Sequence, residues 1–149
     1  MRRGTRPRDP SQSLDGRIDH AVRFILPNDR IRDGAYVRPA THGTRSPSGA
    51  SGGALALPYG SRLRLRADYP VASLSAGARV VARALQRNGM ILADGGEIAL
   101  TARSDAFTAK KWSEVGIDSH SLFDIVAGDF EVIDAGDSFA VTYDCARIP

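Results

Sequence analysis

Between Leu57 and Gly96 the hydrophobic period changes twice, and this switch constrains the fold more than any other feature of the chain. In LPYGSRLRLRADYP, Leu63, Leu65 and Ala67 point one way and Arg62, Arg64 and Arg66 the other, which is the pattern of a half-buried strand. Leu74, Ala78, Val81 and Leu85 then recur at helical spacing and form one stripe. Ser73 or Ser75 can cap the start of this helix, Gly77 weakens its first turn, and Asn88-Gly89 supplies a left-handed stop. After Gly89, MILA reads as a buried strand and Asp94-Gly95-Gly96 as a tight turn. EIALTA reads as the returning arm of a hairpin, with Ile98, Leu100 and Ala102 inward.

The flanks extend this frame. Residues 1–16 hold one leucine among Arg, Pro, Ser, Asp and Gly, too little apolar surface to offset ordering entropy, so a disordered basic tail is expected. RIDHAVRFIL alternates, placing Ile18, His20, Val22 and Phe24 on one face of a strand. AYVRPA is a second extended piece limited by Pro39, and residues 43–54 form a flexible Gly/Ser loop. Residues 105–127 are expected to hold one or two short helices, with Trp112, Val115, Leu122, Phe123 and Val126 inward. DFEVID and SFAVTY read as terminal strands. The expected architecture is α+β: a mainly antiparallel, sandwich-like sheet with one long and one or two short helices. A single domain spans 17–144, followed by a tail at 145–149.

At 149 residues, with 42% hydrophobic and 25% charged residues, the composition is that of one globular domain. No apolar run is long enough to span a membrane. The net charge of +3 conceals a division. Residues 1–103 carry 17 Arg against 8 acids, and residues 104–149 carry 3 basic residues against 9 acids. Such a division marks either a partner surface or two regions that attract each other within one fold, and the second is the simpler reading. Cys145 has no partner for an internal disulfide and no metal-ligand cluster around it.

Candidate chemistry is sparse. His20, on an apolar strand face, can serve as a general base, although a core-edge histidine with one hydrogen bond is the commoner case. Asp94 and His42 could assist it, but Asp-Gly at a turn tip and a solvated loop histidine explain both more simply. The histidines lack metal-ligand spacing, and no nucleophile motif, Walker sequence or dinucleotide fingerprint is present, so neither metal nor cofactor is expected. Two arginine stripes, Arg62, Arg64 and Arg66 on a strand and Arg79, Arg83 and Arg87 on the helix, suit anionic groups. Aromatic residues do not interleave with them, which counts against single-stranded nucleic acid.

The blocks GRIDHAVRF, AYVRPATH, GSRLRLRADY, ARVVARALQRNGMILADGG and GDFEVID resemble, in this order, the C-terminal half of a broad group of exported bacterial proteins common in actinobacteria. The resemblance covers about residues 16–137. Where that group has Asn after the aspartate, Gly95 stands here, and Asn88 replaces an aromatic residue before Gly89. The resemblance implies export, although MRRGTRPRDP leads into no apolar signal segment, and it implies that the chain is part of a longer, strand-rich protein whose sheet has further partners. From this comes the leading expectation of a non-catalytic domain associated with carbohydrate or cell envelope. The alternatives are a glycan-directed hydrolase or lyase using His20, and anion or nucleic-acid binding through the arginine stripes. Oligomeric state is not encoded in any of these features.

Overall fold

The computed structural model describes residues 16–45, 51–97, 100–102 and 104–142. The expected N-terminal tail, Cys145, the centre of the Gly/Ser loop and Ile98 lie outside the described residues, apart from Gly16. The fold is α+β. Its elements are β1 (Val22–Leu26), β2 (Ile31–Val37), β3 (Leu57–Tyr59), β4 (Arg62–Leu65), α1 (Ala76–Arg87), β5 (Met90–Gly95), β6 (Phe130–Ile133) and β7 (Ser138–Ala140). Short 3-10 turns occur at Asn28–Arg30, Val71–Ser73, Trp112–Val115 and Ala127–Asp129. One sheet runs in the order β1-β5-β4-β6 and the other in the order β3-β2-β7. Strand β5 is parallel to β1 and antiparallel to β4; β4 and β6, and β2 and β7, are antiparallel, while β2 and β3 are parallel.

Helix α1 follows its sequence signals closely. The Ser75 hydroxyl accepts from the Ala78 amide at 3.3 Å, capping the first turn. At the other end Gly89 takes φ +70°, and its amide donates to the carbonyls of Ala84 and Leu85. Ala78, Ala82 and Leu85 form the buried stripe and join Phe24, Leu65, Met90 and Leu92 in one core cluster. Burial at this density contributes roughly 25 cal/mol per Å² of apolar surface removed from water. The alanines let the helix lie close to the sheet.

Gly77 shows why a residue unfavourable to helices sits in the first turn. A Cβ there would lie 2.2 Å from the Val115 carbonyl oxygen and 2.6 Å from Ile117. The segment 112–117 packs directly on the helix backbone, and the Ser75 hydroxyl donates to the Gly116 carbonyl at 3.0 Å.

Three expectations are corrected. The described residues of 96–102 do not pair with β5. Both edges of β5 are taken, by β1 and β4, so the chain crosses over and Leu100 bridges Phe24 on the outer edge of β1. The expected helices at 105–127 reduce to the single 3-10 turn at Trp112–Val115 and further turns, and Phe123 is 70% exposed rather than inward. Strand β1 begins at Val22, where the amide reaches the Gly89 carbonyl, so Ile18 and His20 precede the sheet.

Candidate ligand site at the end of strand β5

A register slip builds the site. Arg23 lies opposite Ile91 and Phe24 opposite Leu92, but Ile25 lies opposite Asp94, with Ala93 skipped. Without this bulge, strict alternation would put Asp94 on the Leu92 side of the sheet. The slip moves it to the face of Arg23, whose Nη2 donates to Asp94 Oδ2 at 3.2 Å. Arg23 Nη1 also donates to the Thr101 hydroxyl at 3.0 Å. Asp94 Oδ1 accepts from the Gly95 amide at 2.9 Å and from the Tyr59 hydroxyl at 3.4 Å.

Tyr59 closes the core beneath this cluster. It is buried, and its phenol is pushed above the ordinary value of 10.0 by burial first, then by the Asp94 charge and the hydrogen bond to Asp94. The phenol therefore keeps its proton and donates it. The ring of His42 meets Tyr59 edge-on at 5.4 Å. Tyr59 lies opposite Tyr36, and Tyr36 opposite Phe139, so the three rings cross the three-stranded sheet in a row. Tyr36 stacks on Phe139 at 5.5 Å, and the Arg38 guanidinium sits 5.1 Å from the Phe139 ring. Arg23 and Asp94 stay accessible, with side chains 48% and 60% exposed.

His42 and Asp94 are thus both attached to Tyr59, while His20 is elsewhere. It is exposed, precedes β1 and has its Nδ1 3.0 Å from the Ala21 carbonyl. Asp94 lies opposite Ile25, and its donors are the Arg23 guanidinium, the Tyr59 hydroxyl and the Gly95 amide. No hydrogen bond joins His20 to Asp94 among the described residues.

The arginine stripes are divided as well. Leu63 and Leu65 face the core beneath α1, so Arg62 and Arg64 point from the opposite face of that sheet, whereas Arg83 and Arg87 are exposed on α1 itself. Arg64 pairs with Glu131 at 2.7 Å, and Arg66 forks onto both carboxylate oxygens of Asp68 at 3.1 and 3.0 Å. Arg79 turns back to the carbonyls of Ala72 and Leu74, at 3.0 Å each. Arg23, Tyr59 and Thr101 were not singled out by sequence; the bulge that unites them has no local signature, and only the Tyr-Gly pair at 59–60 hints at a strand end.

Among the described residues no group of three His, Cys, Asp or Glu could hold a metal ion, and no helix is long and apolar enough to cross a membrane. Fold and cluster define an α+β protein with a polar, aromatic-flanked surface site. No protein-family model, no curated protein and no solved structure matches the chain.

Proposed function

We propose that this chain is a non-catalytic domain that binds polysaccharide or cell-envelope glycan through the Arg23–Asp94 pair and the adjoining aromatic row. The observation that carries this reading is the joining of an accessible carboxylate and guanidinium to Tyr59, His42, Tyr36 and Phe139. A sugar ring presents an apolar C–H face and a rim of hydroxyls that both donate and accept. Aromatic surface suits the first, and a fixed carboxylate–guanidinium pair supplies an acceptor and donors for the second. Three donors already hold Asp94, which makes it a positioned acceptor. The enzyme alternative uses His20 with Asp94 or His42 assisting; the hydrogen bond of His20 goes to the Ala21 carbonyl rather than to Asp94. The resemblance to exported bacterial proteins supports an envelope setting and stands as part of this proposal. Retention on insoluble cell-wall and acidic polysaccharides at low salt tests it. Asp94→Ala is expected to lower retention about tenfold, the scale of losing a charge-assisted contact. Absence of retention by the unaltered protein would refute the reading.

A further inference from the structure

One row of side chains crosses the whole four-stranded sheet: Arg23 lies opposite Ile91, Ile91 opposite Arg62, and Arg62 opposite Ile133. This row stands on the face turned away from α1. Ile25, Ile91 and Ile133 are half-buried there and lie outside the core cluster, whereas Phe24, Leu63, Leu65 and Leu92 belong to that core or pack against it. The charged strand residues of the outer face are Arg23, Arg62, Arg64, Asp94 and Glu131. Asp94 is held by Arg23, and Glu131 accepts from Arg64 Nε at 2.7 Å. The Arg62 guanidinium is exposed and has no ion pair or hydrogen bond among the described residues. Its N–H donors are all open, as are the Nη donors of Arg64, and together they outnumber the remaining lone pairs of Asp94 and Glu131. Positive charge and donors are therefore left over on this face.

Arg62 lies two strand spacings from Arg23, roughly 10 Å. A pyranose unit advances a glycan chain by about one strand spacing. A glycan seated on the Arg23–Asp94 pair and crossing the strands thus passes over Ile91 and reaches Arg62 two units on. We propose that the ligand is an acidic polysaccharide, with a uronate carboxylate on the Arg62 guanidinium and a neutral unit on the Arg23–Asp94 pair. The intervening unit lays its C–H face on Ile91. This rests on the reading of the Arg23–Asp94 pair as a glycan site and adds the chemical class of its ligand. A planar guanidinium fork matches a carboxylate with two parallel hydrogen bonds. Single-stranded nucleic acid fits less well, because an anion on every unit would also set charge against Asp94 and Glu131.

The probe is gellan, whose repeat holds a glucuronate among neutral sugars, beside gellan whose carboxyl groups have been reduced to alcohols. Both are immobilised, and the full chain is titrated onto them at low salt. The unaltered protein is expected to bind the acidic form about fivefold tighter, the scale of one exposed charge-assisted pair. Arg62→Gln should remove that preference and leave binding to the reduced form unchanged, which also shows that the variant is folded. Arg83→Gln, which removes an exposed charge from α1, should bind both forms as the unaltered protein does. Equal binding of the two forms by the unaltered protein would overturn the inference. An undiminished preference in Arg62→Gln, or an equal loss in Arg83→Gln, would overturn it too, as would tighter binding of a single-stranded oligonucleotide. If the reduced form is held and Asp94→Ala releases it, the glycan reading survives such a failure; if neither form is held, both fall.

Discussion

Tyr59 joins the core to the candidate site, and its titration can be measured. Its phenol is raised above 10.0, chiefly by burial and then by Asp94. Below the unfolded value both states carry the proton and the full contribution is present. As pH rises through the folded value, the unfolded chain has already released its proton and stability falls. Tyr69 is raised for similar reasons, burial first and then the charges of Asp129 and Asp124, so among the described tyrosines the alkaline loss has two sources. Tyr59→Phe should leave only the Tyr69 part of that loss, while costing about 0.5–1.5 kcal/mol at neutral pH for the hydrogen bond to Asp94. Thermal unfolding followed from about pH 8 to 11 checks both. An unchanged alkaline slope in the variant would mean that Tyr59 does not titrate with unfolding.

At the scale of elements, α1 makes a prediction against propensity. Alanine is the better helix former by about 1 kcal/mol, so Gly77→Ala should stabilise an isolated helix. Here the added Cβ would meet the Val115 backbone oxygen at 2.2 Å, so the segment 112–117 must move. We expect a net destabilisation of about 1–3 kcal/mol, the usual range for overpacking, with a changed Trp112 emission. Denaturant unfolding measures the sign, and a more stable variant would show that the segment yields without cost. The helix itself was legible because its stripe, its Ser75 cap and its Gly89 stop are all local. The supposed hairpin after Asp94 was misread for the opposite reason. Asp-Gly-Gly is a valid turn signal, but whether β5 has a free edge depends on β1, more than sixty residues earlier in the chain. His20 was placed on a strand face for the same reason: alternation continues back to Ile18, while pairing stops where β5 begins. The Asp94 site was half legible. The carboxylate was named from sequence, but its partner Arg23 arrives only through the bulge.

Over the whole molecule, the uneven charge of the chain is partly resolved within the fold. Arg64 from the basic region meets Glu131 from the acidic one, and the Arg66 guanidinium is raised first by Asp68 and then by Glu131 and Asp129. The unit β4–α1–β5 is contiguous, whereas β1 and β6 join it from far along the sequence. Local contacts form at lower entropic cost, so this unit should structure the folding transition state. Leu92→Ala is then expected to slow folding, and Phe139→Ala chiefly to speed unfolding, both read from denaturant dependence of the rates. The reverse pattern would place the nucleus in the β3-β2-β7 sheet. The parallel pairing of β1 with β5 also bears on biosynthesis. Val22 emerges from the ribosome long before Met90, its partner in register. At about 5–20 residues per second, the nascent strand waits several seconds with Val22, Phe24 and Leu26 uncovered. For that interval the chain offers a chaperone a short apolar handle, which disappears once Leu92 settles beside Phe24.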